Sequence, residues 1–284
     1  MRLVKTAWVT DSTAFLDEEL KYHPDLYINP LHIVLDDEEY LDGIDLTAEQ
    51  LFTKLKLAKI PPKTSQPSVG SFQILYEKLE MEYDQVITIL LSGKLSGTVS
   101  SSQQAANLVS IPVTTIDSKI LTYPLTALIK KGMEWLSEGK SLDYIADKLE
   151  TIRDTNEAFV LVGSLEQLHR GGRMSGVQFF LGSMLNIKPI ISIVDGGLTI
   201  KEKVRSEKKA KEKIVDYLRI SYENHKMKEV YILYGLHKEQ ADNWKNELIR
   251  QFSELNIICC PLGAVIGVHA GENTLGISWF NKLE

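Results

Sequence analysis

The segment QVITILLSGKLSGTVSSSQQAANLV, residues 85–109, shows the pattern on which the fold prediction rests. Its first seven residues are rich in apolar and β-branched side chains, which is typical of a buried strand, and a polar turn with two Ser-Gly pairs follows. A helix is expected from Thr98 onward. The order of strand, turn and helix is the repeating unit of a parallel α/β sheet.

The same order recurs on both sides of this segment. β-rich runs end in polar turns at residues 3–10 and 111–117, and apolar residues at helical spacing cover residues 69–79 and 124–139. Strands that alternate with helices predict an N-terminal α/β domain built on a parallel sheet.

The pattern changes after Asp154. A strand at residues 158–163 leads into a glycine-rich loop and a short apolar helix, and two later strands are joined by Asp195-Gly-Gly, a strong hairpin signal. The two predicted domains span residues 1–155 and 156–284. The sequence predicts that the second is an α/β domain with a mixed or antiparallel sheet. Its remaining predicted elements are a helix at 206–224, a strand at 229–235, a helix at 239–252 and a strand that ends at Pro261.

The composition is that of a globular protein and excludes several functions. Of the 284 residues, 44% are hydrophobic and 25% are charged, which excludes a disordered or fibrous chain. The net charge of -6 argues against nucleic acid as a partner, because phosphate binding draws on surplus Lys and Arg. No apolar run could span a membrane, and residues 1–13 make a poor signal peptide. We therefore expect a cytoplasmic protein without stable membrane insertion and with at most transient contact with a membrane surface.

The common motifs for cofactors, metals and nucleophiles are absent. Residues 139–141 lack the earlier glycine of a P-loop, and no G-x-G-x-x-G occurs. Ser96 is preceded by Lys94-Leu95, where a nucleophile elbow would require Gly-x. Cys259 and Cys260 are adjacent, which disfavours a disulfide between them and provides no metal-binding spacing. We expect no cofactor, no metal, and two reduced thiols that serve packing.

Hydroxyl-rich turns at predicted helix starts are the best candidate site. Ser96, Gly97 and Thr98 follow a strand and open a helix, so free N–H groups and the positive end of the helix dipole offer an anion site. The alternative is that Ser96 only caps the helix. Thr64 and Ser65 lie in a second such loop just before Pro67. Because ligands bind at the carboxyl ends of parallel strands, both loops are expected to meet one ligand, although ordinary turn chemistry explains the same residues.

Four other residues, in three segments, have a chemical and a structural interpretation. Arg170 and Arg173 flank two glycines in a loop that suits a phosphate or carboxylate, unless both are solvated. His269 lies among apolar residues and glycines, where a histidine is more often a satisfied core side chain than a catalyst. Asp11 ends the first strand as a possible general base or, more simply, as a turn former.

A series of motifs resembles the DegV family of bacterial fatty-acid-binding proteins across nearly the whole chain. The motifs occur in the order that the family has. They are VTDST (9–13), TSQPS (64–68), LSGKLSGTVSSSQQAA (91–106), TIDS (115–118), GGRMSG (171–176), NIKPIISIVDG (186–196) and GVHAG (267–271).

The resemblance implies a two-domain α/β protein that holds one fatty acid with its carboxylate in the cleft between the domains. Family members that act as the binding subunit of fatty acid kinase present this carboxylate to a separate ATP-using subunit, which makes an acyl phosphate for phospholipid synthesis. The chain would then be a carrier and not an enzyme. Carried over to matching positions, Thr64, Ser96, the Gly97 N–H and His269 would hold the carboxylate. Arg173 resembles the family arginine near the cleft mouth, with a role in phosphoryl transfer or partner docking.

One position departs from the family pattern, and one question stays open. After His269 the family usually continues with a Gly-Pro-Gly turn, whereas this chain has Glu272 and Asn273, and a carboxylate beside an acid ligand weakens binding unless it points to solvent. Certain apolar side chains are candidates to line a tunnel for the acyl tail, yet their helical spacing fits plain core packing equally well. They are Phe179, Phe180, Leu181 and Met184.

Two other functions remain as alternatives. Ser96 and His269 could act as nucleophile and base of an acyl hydrolase, since such pairs occur on unrelated folds. The protein could also be a lipid-responsive regulator that takes no part in phosphoryl transfer.

Overall fold

The structure of the chain, a computed structural model, describes residues 4–173 and 187–283. Its strands are β1 (Thr6–Asp11), β2 (Leu26–Asn29), β3 (His32–Leu35), β4 (Glu38–Leu41), β5 (Lys63–Ser65), β6 (Gln85–Leu90), β7 (Val113–Asp117), β8 (Asn156–Leu161), β9 (Lys188–Val194), β10 (Gly197–Val204), β11 (Glu229–Tyr234), β12 (Asn256–Pro261) and β13 (Leu275–Phe280). Its helices are α1 (Glu18–Lys21), α2 (Ala48–Leu55), α3 (Val69–Leu79), α4 (Thr98–Ala106), α5 (Tyr123–Ser137), α6 (Leu142–Arg153), α7 (Leu165–Arg170), α8 (Glu207–His225), α9 (Lys238–Ile249) and α10 (Ala264–Ala270).

The first sheet has the strand order β2-β1-β6-β7, and all of its strands are parallel. Its strands are apolar on both faces because helices cover both. Val86 and Leu90 pack on the side of α3 and α4, and Ile87 and Ile89 pack on the side of α5 and α6. The predicted parallel α/β architecture of the N-terminal half is thus confirmed, and the loops after β1, β6 and β7 gather at one edge of the sheet.

The second sheet has the order β10-β9-β8-β13-β11-β12 and is mixed, as the sequence predicts. Only β11 and β12 pair in parallel, and the Asp195 turn joins β9 and β10 as a hairpin. Helices α8 and α9 cover one face, where Trp244 and Trp279 are buried. Sequence analysis missed β13, which lies at the centre of this sheet. Its apolar run is interrupted by Gly276, where a Cβ would make a tight contact of 3.0 Å with Val160 Cγ2.

A small antiparallel sheet with the order β4-β3-β5 follows β2 in the chain. Helix α10, from the C-terminal half, packs on α2 and on β5, and its Val265 and Val268 share a core with Ile33. Neither this sheet nor α10 is predicted from the sequence. The strands have three or four residues each, too few for a clear alternation, and α10 is short and flanked by glycines.

The predicted elements otherwise differ from the structure mainly at their ends. The helix predicted at 206–224 is α8, and the one predicted at 239–252 ends three residues earlier as α9. The change from the first sheet to the second falls between β7 and β8. In the described ranges, no helix combines the length and the hydropathy that crossing a membrane requires.

Candidate functional site

An elongated pocket lies between the loops of the first sheet and the face of the second sheet that α8 and α9 leave open. Most of its wall is apolar, and its polar side chains at one end come from four separate parts of the chain. At that end stand Thr64 of β5, Ser96 before α4, Arg173 after α7 and His269 of α10. The apolar wall includes Leu31, Leu91, Leu95, Ile120, Leu121, Ala158, Val160, Val162, Leu168, Ile191, Ile193, Leu198, Leu233, Leu262, Val265 and Ile266.

Thr64 and His269 form the centre of the polar end. Thr64 Oγ1 and His269 Nε2 are 2.7 Å apart, although the two residues lie 205 positions apart in the sequence. The contact exists because α10 packs on β5 of the small sheet. His269 is therefore part of a polar pair at the pocket, and the interpretation of it as a plain core side chain is incomplete.

The imidazole of His269 is uncharged at neutral pH. Burial is the main cause and the positive charge of Arg173 adds to it, and together they lower the pKa of His269 to about 4. Nδ1 is buried without a hydrogen-bond partner among the described residues, and Gly171 lies so close that a Cβ there would collide with it. An N–H at Nδ1 would be an unpaired buried donor. We therefore assign the ring proton to Nε2, which donates to Thr64 Oγ1 and leaves the Thr64 hydroxyl proton available to the pocket.

Ser96 stands at the start of α4 but does not cap it. The N-cap residue is Gly97, which has no side chain to bond the helix, and Ser96 Oγ instead lies 2.9 Å from Thr98 Oγ1. The interpretation of Ser96 as a helix cap is thus wrong, because its position is one residue too early to reach the first-turn N–H groups. Gly97 lies close to Gln66, since a Cβ at Gly97 would lie 2.8 Å from the side-chain Nε2 of Gln66. This contact joins the two hydroxyl loops.

Arg173 holds two loops together beside the pocket. Its Nε donates to the carbonyl of Leu95 at 3.2 Å, and its Nη1 donates to the carbonyl of Gly171 at 2.5 Å. Burial lowers the pKa of Arg173 from its usual range, but a guanidinium remains charged at any physiological pH. Arg170, in contrast, is exposed and pairs with Glu166 at 2.5 Å, so the two arginines of this loop do not act together.

Two buried carboxyl groups support the pocket without lining it. Asp11 accepts hydrogen bonds from the N–H of Thr13 at 2.9 Å and the N–H of Leu91 at 2.7 Å, so it is a turn former and not a free base. Asp42, which sequence analysis missed, accepts from Ser12 Oγ at 2.7 Å and from the N–H of Val265 at 3.2 Å. It thereby joins the loop after β1 to the start of α10, and burial raises its pKa to about 6. No motif marks Asp42, because its partners come from distant segments.

Glu272, the departure after His269, is not among the residues that line the pocket. Its carboxylate lies 3.8 Å from Nζ of Lys56, and a third of the side chain is exposed. The carboxylate is thus partly neutralised and in contact with solvent. Phe179, Phe180, Leu181 and Met184, the predicted tunnel residues, lie outside the described residues.

The residues of β8 that line the pocket follow a pattern that is visible in the sequence. Residues 156, 158, 160 and 162 alternate along and just beyond β8 and all face the pocket. That alternation is visible in the sequence, but both faces of β8 are buried, so the pattern alone does not show which face meets a ligand.

The positions of Ser96 and His269 do not form a nucleophile and base pair. Ser96 Oγ is bonded to Thr98 Oγ1, whereas His269 Nε2 is bonded to Thr64. A hydrolase needs the hydroxyl and the base within hydrogen-bond reach of each other. The geometry suits binding of an anion at the end of an apolar pocket.

The chain matches the family described as "Uncharacterised protein, DegV family" over residues 5–282. Its fold is similar to that of a fatty-acid-binding DegV family protein from Thermus thermophilus, with 33% identity, a TM-score of 0.91, and coverage of 98% of this chain and 99% of that one. It is similar to DegV of Bacillus subtilis, described as a fatty acid binding protein, with 33% identity, a TM-score of 0.90, and coverage of 99% and 100%. The fold alone is shared with the fatty acid kinase B3 protein of Streptococcus pneumoniae, at 18% identity, a TM-score of 0.84 and coverage of 98% and 100%. The chain belongs to the DegV family.

Proposed function

We propose that this protein binds a single long-chain fatty acid and presents its carboxylate to a separate ATP-using kinase subunit, which converts it to an acyl phosphate for phospholipid synthesis. The observation that carries the proposal is the convergence of Thr64, Ser96 and His269 at one end of a continuous apolar pocket. Relatives of about one-third identity along the whole chain are described as fatty-acid-binding proteins.

The apolar wall supplies the affinity for the acyl tail. Each methylene removed from water contributes about 0.8 kcal/mol, so a tail of about 14 methylenes contributes roughly 11 kcal/mol before ordering costs. A buried carboxylate, in contrast, is unfavourable unless donors surround it. The two ends of the ligand therefore require the two kinds of surface that this pocket combines.

The polar end offers neutral donors for the carboxylate. The Thr64 hydroxyl, oriented by the Nε2–H of His269, is one donor, and the Ser96 hydroxyl and the Gly97 N–H at the start of α4 are others. Hydrogen bonds to the charged form hold a carboxyl pKa low, so the bound acid stays ionised. An ionised carboxylate held in one orientation is the nucleophile that attack on the terminal phosphate of ATP requires.

Arg173 is the residue to which this proposal assigns a role in the transfer step or in partner docking. It keeps its charge beside the carboxylate end, and its present bonds go to two backbone carbonyls. A guanidinium there can meet a phosphoryl group or a partner side chain through its forked donors. In this proposal the chain is a non-catalytic binding subunit of the cytoplasm, and the kinase subunit supplies ATP and its chemistry.

Mass spectrometry of lipids extracted from the gently purified protein tests the binding step. We expect one fatty acid at near-equal molar ratio, and much less in an unrelated protein from the same host. A protein that is empty and also refuses added hexadecanoic acid contradicts the proposal.

Two further measurements separate this function from its alternatives. Ester turnover that Ser96→Ala abolishes would favour an acyl hydrolase. Failure of every cognate kinase subunit to phosphorylate the bound acid would favour a lipid-responsive regulator.

A further inference from the structure

The floor of the pocket is a straight apolar strip that ends in polar residues. Along β8 and just beyond it, Val162, Val160 and Ala158 are followed by Asn156 on the same face. The Val162 end lies near the polar end of the pocket, because Ser164 donates its N–H to the carbonyl of Ala270, the residue after His269, at 2.9 Å. Asn156 is six residues away, which corresponds to about 20 Å in an extended strand.

Asn156 and Ser278 of the neighbouring strand β13 form a closed hydrogen-bonded pair at this far end. Asn156 Nδ2 donates to Ser278 Oγ at 3.0 Å and to the carbonyl of Trp279 at 3.0 Å. Ser278 Oγ is 2.9 Å from the carbonyl of Glu157, to which it donates. The donor groups of the pair are satisfied within the protein, so they interrupt the apolar floor without offering a free donor to a ligand.

Aromatic side chains close the route beyond this pair. Phe280 pairs with Asn156 across the ladder, and its ring centroid lies 6.5 Å from that of Tyr231. Tyr231 in turn packs on Tyr123 of α5, with centroids 5.0 Å apart. These rings are buried. The pocket is thus bounded at this end by a polar pair and an aromatic layer.

We propose that Asn156 and Ser278 are the end wall that sets the length of the bound acyl chain. This inference rests on the proposed function. An extended chain with C–C bonds of about 1.5 Å advances about 1.25 Å per carbon, so a floor of about 20 Å holds about 16 carbons. A longer chain presses its terminal methylenes onto polar atoms that are already paired, where further burial brings no gain.

The test is a series of dissociation constants for saturated acids of about 12 to about 20 carbons, measured by calorimetry on the delipidated full chain. For the natural protein we expect affinity to rise about fourfold per methylene up to about 16 carbons and then to level off. We call the chain length at which the affinity levels off the break. The double variant Asn156→Ala/Ser278→Ala removes the wall, and its break should move to longer acids by about two carbons.

A second variant protects the test against loss of folding in the first. Ala158→Val adds bulk to the floor before the wall, so its break should move to shorter acids. Ser192→Ala is the matched control, because Ser192 is a buried serine of the same sheet that pairs with Phe159 and so lies on the opposite face. Its break should stay where the natural protein has it.

The outcomes separate this inference from the function on which it rests. A break that stays in place in the double variant and in Ala158→Val overturns the end wall, as does affinity that rises without a break to the longest acid. If the natural protein binds none of the acids, the proposed function itself fails.

Discussion

Replacing Thr64 by valine removes the hydrogen bond that we propose Thr64 makes to the ligand, together with its bond to His269. Valine keeps the branched shape that suits β5 but removes the hydroxyl that lies 2.7 Å from His269 Nε2. A hydrogen bond to a charged group is worth about 1.5–3 kcal/mol. We therefore expect Thr64→Val to weaken hexadecanoic acid binding about 10- to 150-fold.

The assay is calorimetric titration with hexadecanoic acid and, in parallel, with hexadecan-1-ol, which has the same tail without the negative charge. A neutral hydrogen bond is worth about 0.5–1.5 kcal/mol, so the alcohol should lose only about 2- to 10-fold. Thr53→Val is the matched control, since Thr53 is an exposed threonine of α2 whose Oγ1 donates to the carbonyl of Glu49. It should leave both affinities unchanged.

Two results would refute the reasoning. If Thr64→Val binds the acid as tightly as Thr53→Val does, Thr64 is not a donor to the carboxylate. If acid and alcohol lose affinity equally, the effect of the substitution lies in the shape of the pocket and not in charge recognition.

Four further predictions follow from particular contacts. The pKa of His269 is about 4 in the folded state, below the unfolded value of about 6.5, so the unfolded state binds a proton that the folded state does not. The free energy of unfolding should therefore fall by about 3 kcal/mol as the pH drops from about 6.5 to 4, and denaturant titrations should show a shallower fall for His269→Gln. Arg173→Ala should spare acid binding more than kinase turnover, and equal losses would place Arg173 among the groups that hold the resting acid. Gly171→Ala should lower Tm by about 2–6 °C, because its Cβ would collide with His269 Nδ1. Gly70→Ala is the control and should leave Tm unchanged, because its Cβ would have only Ser68 Oγ nearby, at 3.8 Å. Equal Tm values for the two variants would contradict the close contact at Gly171. Asp195 pairs with Lys94 at 2.6 Å and with Lys119 at 2.9 Å, so Asp195→Asn should speed hydrogen exchange in the turn between β9 and β10. High salt should do the same in the natural protein. If neither change alters the exchange rate, these ion pairs do not stabilise the turn.

Parts of the candidate site were predictable because they depend on local signals. The loop of Ser96 stands where a strand pattern ends, and the rule that ligands bind at the carboxyl ends of parallel strands is enough to expect it at a ligand site. Thr64 was also expected in such a loop, but it lies in β5 of the small antiparallel sheet, so that rule does not explain its position. The structure places Thr64, Ser96, Arg173 and His269 at one pocket. Their roles toward a ligand remain a proposal.

The interpretation of Ser96 as a helix cap, the alternative to an anion site, was wrong at the level of single atoms. Residue type and position suggested a cap, but Gly97 occupies the cap position and Ser96 turns to Thr98. A shift of one residue decides which groups point at the helix, and sequence patterns do not locate helix ends that closely.

By itself, the sequence determined the alternation of strands and helices, the change to a mixed sheet in the second half, the hairpin at Asp195 and the family. Each of these depends on neighbouring residues, because strand and helix periods and turn residues act over a few positions. Only the tertiary structure decided that β13 lies at the centre of the second sheet, that Asp42 supports α10, and that Thr64 meets His269. The residues in these contacts are up to 223 positions apart, so the contacts exist only once whole layers have packed together. The burial that this packing creates also lowers the pKa of His269, which no pattern of neighbouring residues could show.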